Sequence, residues 1–311
     1  MSKVLAVFGA TGTQGGSVVH NVLNDPELSK AYKIRAITRD VNADKARQLS
    51  AKVEVVQADV LDRSSLEAAL TGVHTVFSVT VPDFGPNAVE VEYKNATQIA
   101  DVAVAKGVEY FIFSTLPSPA KISNGKHTKV TAFDAKAQAE EYIRKLNIKS
   151  AFVSLGWFME NFHTQPFMAP QPNPDGTWGL YRNVSPQVKW PMLFASEDVG
   201  KFVGAILAQP EKYEGTTWCC AQAEYTLEEI AAIFTKATGK TVVNKHISDQ
   251  EMLGRVSFVP ELFVDALNFT EGFGYFGPGQ AEAVRWAATN ARGRLSTLED
   301  YLKVKPLQLQ E

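Results

Sequence analysis

An unbroken apolar run from Val4 to Phe8 predicts a buried strand, and the small, polar and glycine residues after it lead into a helix opened near Thr13. The same alternation continues down the chain. Tyr32 to Thr38 reads as a second strand, Ala43 to Leu49 as a short helix, Val53 to Gln57 as a third strand and Ser64 to Leu70 as a helix. His74 to Val79 forms a fourth strand ahead of a loop holding Pro82, Gly85 and Pro86. Apolar positions at helical spacing from Ala88 to Lys106 predict a long helix closed by Gly107, and Tyr110 to Phe113 a fifth strand.

Pro119, Asn124 and Gly125 punctuate a polar stretch, so Pro117 to Thr131 is expected as a loop. A helix from Ala132 to Leu146 and a sixth strand from Ser150 to Leu155 follow. Strands and helices alternating at this spacing imply an α/β fold, a Rossmann-type doubly wound parallel sheet with right-handed crossovers, over residues 1–155. Beyond it the texture changes. Pro166, Pro170, Pro172, Pro174 and Gly176 crowd a segment expected to be neither regular sheet nor helix. Residues 156–311 are expected to form a smaller α+β region, for substrate or partner, interleaved with the first. It holds a helix from Ser196 to Ala208, a strand near Thr216 to Cys220, a helix capped by Thr226 with Glu229 three residues on, a short helix near Asp249 and a closing helix from Thr297 to Leu302. The aromatic, glycine-rich stretch with Phe269, Phe273, Tyr275 and Phe276 reads as core or pocket wall.

The spacing of Gly9, Gly12 and Gly15 turns the first strand and helix into a candidate dinucleotide site. Glycine permits unusual backbone angles at the tight turn and lets a pyrophosphate and the helix approach without an intervening Cβ, while the helix N-terminus attracts the phosphates. The end of the second strand chooses the cofactor. An acidic residue there would hold a ribose hydroxyl, whereas Arg39 can pair bidentately with a 2′-phosphate, which favours NADP(H) over NAD. Asp40 comes one place too late for the acidic role, and Lys45 adds charge across the loop. Asp59 and Val60, at the end of the third strand, are placed to meet the adenine edge, although Asp59 also suits a turn cap.

Composition narrows the partners. The chain has 311 residues, 45% of them apolar, enough for a sizeable core. With 31 Lys+Arg against 34 Asp+Glu the net charge is −3, which gives no electrostatic footprint for direct nucleic-acid or anionic-membrane binding. No leader or membrane-spanning run is read, so a cytoplasmic protein, also nuclear through a partner, is expected. Cys219 and Cys220 read as buried thiols of a reducing compartment. No residue set has metal-ligand spacing, and no G-x-S-x-G elbow occurs.

Gly9-Ala10-Thr11-Gly12-Thr13-Gln14-Gly15, Thr38-Arg39, Gln57-Ala58-Asp59, Phe133-Asp134-Ala135-Lys136 and Glu160-Asn161 together resemble the NmrA-like family of atypical short-chain dehydrogenases. The resemblance runs over nearly the whole chain and is nearest to the redox-sensor branch. It implies a Rossmann domain with a small C-terminal domain, NADP(H) binding, and regulation through a protein partner. It carries cofactor roles onto Gly9 to Gln14, Arg39, Lys94, Lys136 and Phe158-Met159-Glu160-Asn161. Thr80, just past the fourth strand, is counted with these cofactor contacts.

Ordinary short-chain dehydrogenases place Tyr and Lys four residues apart on one helix face, the lysine lowering the phenol pKa for proton transfer. Lys136 matches the lysine, but Ala132 stands where the phenol belongs. Three readings of Lys136 stay open: a lone acid or base, a ribose anchor, or a solvated helix lysine. His127 in the preceding loop is a possible substitute or an ordinary hydrogen-bonded residue, and Tyr142 points elsewhere. The first expectation is an NADP(H)-binding redox-sensing regulator with little turnover, responding in the loops Pro117 to Thr131 and Phe158 to Pro174. The alternative is an NADPH-dependent oxidoreductase reducing a small carbonyl, quinone or conjugated compound, with Lys136 as the catalytic acid.

Overall fold

The structure is a computed structural model that describes residues 2–309. β1 (Lys3–Phe8), β2 (Tyr32–Thr38), β3 (Glu54–Gln57), β4 (Thr75–Ser78), β5 (Tyr110–Thr115) and β6 (Lys149–Leu155) lie in one parallel sheet in the order β3-β2-β1-β4-β5-β6. Thr217–Cys220 adds a seventh parallel strand beside β6. Helices cover both faces, so β4 and β5 are buried at every position. This is the doubly wound Rossmann-like order, and its direction reverses between β1 and β4, where ligands of such sheets bind.

One face is covered by α1 (Thr13–Asn24) and by the helix Ala195–Ala208 from the later part of the chain, which share a core with the strands. These two helices meet closely because Gly200 and Gly204 present no side chain. A Cβ on Gly200 would overlap the Ser17 carbonyl, and Gly200 N donates to Ser17 Oγ at 2.9 Å. The opposite face carries Arg63–Leu70, Ala88–Ala105 and Thr131–Ile143 over a second set of core residues.

The rest of the chain builds two three-stranded sheets around a third core with Trp157, Trp190, Phe162 and Phe234. One sheet orders Ala223–Thr226, Lys189–Leu193 and Trp157–Phe158, the other Val242–His246, Trp178–Arg182 and Gln171–Pro172. Arg182, fully buried there, donates to the carbonyls of Phe167, Tyr181 and Met168.

Several expectations are corrected. The Pro117 to Thr131 connection contains a helical turn, Pro119–Ile122, because Pro119 suits a first helical position and Ser118 Oγ accepts from Lys121 N at 3.2 Å. The proline-rich segment contributes the short edge strand Gln171–Pro172, where proline interrupts no inner ladder. Phe269 and Phe273 lie on the helix Pro260–Phe273, opened by Pro260 and ended at Gly274, whose φ is 79°. A helix over Gln280–Asn290 was also hidden by its weak apolar pattern. Thr226 with Glu229 forms the expected capping box. Among the described residues no helix is long and apolar enough to cross a membrane.

Candidate functional site

The turn after β1 is made of backbone. Gly9 takes a φ of 65°, a left-handed conformation that favours glycine, and its carbonyl accepts from Gly12 N at 2.9 Å. A Cβ on Gly15 would lie well inside contact distance of the Gly9 carbonyl, so only glycine lets α1 start this close to β1. The first-turn N–H groups of α1 lack intrahelical acceptors, no side chain caps them, and no acidic residue stands among them. Ala10 is buried beneath the turn, while Thr11 and Thr13 stay accessible at its rim. The result is an uncapped positive helix end that fits a pyrophosphate.

Arg39 and Lys45 are exposed beyond β2, and neither makes a hydrogen bond or ion pair with a described residue. Arg39 is thus free to meet a phosphate beside the turn. Asp59 Oδ1 accepts from Leu61 N at 2.9 Å, so that oxygen caps a turn, with Val60 half-buried next to it.

Lys136 is only 5% exposed, which removes the solvated-helix reading. Its Nζ donates to Thr80 Oγ1 at 2.9 Å and to Glu92 Oε1, while Thr80 Oγ1 donates to the same Glu92 oxygen at 2.7 Å. Burial pushes the Lys136 ammonium below the usual lysine range, and the neighbouring Glu92 carboxylate opposes that shift. Glu92 was missed in the sequence. It falls four residues after Ala88 and four before Ala96, on the buried stripe of Ala88–Ala105, and it is the one charged residue there. A charge on an apolar stripe was the available signal.

Lys136 also lines a cavity of about 260 Å³ beyond the ends of β5 and β6. Gln14, Ser114, Thr115 and Asn161 supply its polar edge, and Leu116, Phe133, Leu155, Trp157, Phe158, Leu262, Phe263, Ala266 and Tyr275 its apolar wall. Ser114 Oγ donates to Gln14 Oε1 at 2.7 Å, tying the start of α1 to the cavity. The Tyr275 hydroxyl donates to the Leu155 carbonyl at 3.1 Å, and burial raises the phenol pKa. Leu262, Phe263 and Ala266 were not foreseen, because their helix was not.

Other expected residues lie elsewhere. Lys94 is exposed, about 200° around the helix from Glu92, and stands outside the Lys136 group. The Met159 side chain is fully buried in the third core. The Glu160 carboxylate caps the helix Ala195–Ala208, accepting from Ala195 N at 3.1 Å and Ser196 N at 2.8 Å. His127 does not line the cavity. Its Nδ1 pairs with Asp265 Oδ1 at 2.7 Å and its ring packs edge-on against Phe269 and Phe273, which latches its loop to Pro260–Phe273. The Tyr142 hydroxyl donates to Asp101 at 2.7 Å, away from the cavity.

An NmrA-like family domain-containing protein of Dictyostelium discoideum is 30% identical over 310 residues, 97% of this chain and 98% of its own length. An NmrA-like family domain-containing oxidoreductase of Aspergillus hancockii is 29% identical over 308 residues, 90% of this chain and 87% of its own. The crystal structure of NmrA, a negative transcriptional regulator in complex with NADP, superposes with a TM-score of 0.75 at 22% identity, covering 96% of this chain and 94% of that one. The profile of the NmrA-like family matches residues 1–302, so the Gly9 turn, Lys136 and the cavity all lie within the matched length, and the chain belongs to the NmrA-like family.

Proposed function

We propose that this protein is an NADP(H)-dependent reductase of a small, apolar, conjugated compound. The observation that carries the reading is the cavity itself, an aromatic-walled space with Lys136 as the one charged side chain among its lining residues. The Gly9 to Gly15 turn would hold the pyrophosphate, Arg39 the 2′-phosphate, and Gln14, Thr80 and Asn161 the nicotinamide end. Bound there, NADPH would supply the hydride. Lys136 would supply the accompanying proton, since Ala132 has none to give and the Tyr275 hydroxyl is committed to Leu155. The apolar wall would exclude water and select flat, uncharged substrates. The oxidoreductase name of the Aspergillus relative agrees with this reading.

The test is NADPH oxidation with a panel of quinones, enones and aromatic carbonyls. Turnover should fall by about 100-fold or more in Lys136→Met with NADPH still bound, the usual size of a lost general acid. No turnover with any panel member, in wild type that binds NADPH, overturns it. A second reading, a regulator that reports the NADP(H) pool to a protein partner, draws support from Ala132 in place of the phenol. It expects binding without turnover, and altered hydrogen exchange at 117–131 and 158–174 when NADPH binds.

A further inference from the structure

Glu92 is 1% exposed, and its two oxygens are in different states. Oε1 accepts from Thr80 and Lys136, whereas Oε2 is buried without a hydrogen-bond partner. Held in this way, a carboxylate is a poor device for joining two helices. Desolvating an ion pair costs several kcal/mol per ion, and an apolar pair of similar volume commonly holds at least as well. The charge therefore has to be explained by what it does to its neighbour. Lys136, itself buried, would favour the neutral amine if left alone, and a neutral amine is no acid for the cavity it lines.

We propose that Glu92 is the positioning residue that holds Lys136 as an ammonium ion at the cavity wall and restores that state after each proton has left. Thr80 completes the arrangement by fixing both partners with one hydroxyl. The restoring role rests on the reductase reading; the holding role does not. In that role the Lys136 N–H bond breaks, its electron pair stays on Nζ, and the proton joins the substrate atom left electron-rich by the hydride from bound NADPH. The neutral amine, beside a carboxylate that favours its charged form, then takes a proton from water.

Few other groups compete for this control. β5 and the connection after β4 offer the hydroxyls of Ser114, Thr115 and Thr80, and the far side of the cavity offers the Tyr275 phenol. Asp134, on the helix of Lys136, is engaged by Ser118 and Ala120.

The experiment measures the protonation of Lys136 in the full chain without cofactor, by trace acetylation across pH with mass-spectrometric readout, in wild type and Glu92→Gln. The midpoint should fall by at least about one pH unit in the variant, and by less in Glu92→Asp, which keeps a retracted carboxylate. The alkaline limb of kcat for NADPH oxidation should move by the same amount. An unchanged midpoint in Glu92→Gln overturns the proposal. If that variant does not fold, Glu92→Asp is read alone, and an unchanged midpoint there has the same meaning. A shifted midpoint in a protein that turns over no panel substrate keeps the holding role and removes the reductase reading. Turnover with an unshifted midpoint does the opposite.

Discussion

Two cations of the candidate site, Arg39 and Lys136, are kept in opposite surroundings. Arg39 is exposed and has no partner among the described residues, whereas Lys136 is buried and already paired with Glu92. The first is open to a negative charge from outside. The second brings its own counter-charge, so the cavity beside it suits a ligand without one. At the Arg39 end the binding groups are also mostly backbone, while at the Lys136 end they are side chains drawn from distant segments.

The largest effect is expected at the backbone end. Gly15→Ala places a methyl against the Gly9 carbonyl, which should cost about 3 kcal/mol of strain. NADPH and NADH should both bind roughly 100-fold more weakly by fluorescence titration, with circular dichroism unchanged. Arg39→Asp tests the cation itself. It should cost NADPH about 2 kcal/mol, roughly 30-fold, and leave NADH nearly unaffected. Because Arg39 is exposed, the NADPH preference of the wild type should also shrink as salt rises.

Tyr275→Phe sharpens the other end. It keeps the ring and removes one buried hydrogen bond to Leu155, so it should lower stability by about 1 kcal/mol in urea unfolding and leave turnover within a few-fold. A loss of more than about tenfold in kcat would make the phenol a second proton source and undo the assignment to Lys136 alone.

A control lies remote from both ends. Asp25 pairs with Arg292 at 2.5 and 3.0 Å, and the Arg292 guanidinium holds its pKa at about 2 against an ordinary 3.8. A carboxylate lowered on folding stabilises the protein above pH 4, and the contribution is lost as pH falls from about 4 to 2. Asp25→Asn should flatten that part of the acid-unfolding curve without altering NADPH affinity.

The sequence made the Arg39 end legible because its physics is local. The strand and its three glycines are contiguous, Arg39 directly follows the next strand, and each acts through its own backbone or its own charge. Lys136 was also visible, through its place in a short motif. Glu92 was not, because an apolar period announces a helix and does not mark the one charged residue that falls on its buried stripe. The cavity wall was hidden for another reason. Leu262, Phe263 and Ala266 sit on a helix whose apolar residues are spread around several faces, and Trp157 reaches the cavity from the short strand Trp157–Phe158, too brief to leave a pattern.

The glycine seam between α1 and Ala195–Ala208 sets the order in which this protein can be made. Val18, Val19 and Val22 on α1 share their core with residues near position 200, and the open edge of β6 is covered only by Thr217–Cys220. A nascent chain ending at residue 155 would therefore carry an uncovered apolar helix face and an unpaired strand edge, the two features that invite aggregation. The Gly9 turn, which leads into α1, is thus secured only by residues that follow it far along the chain.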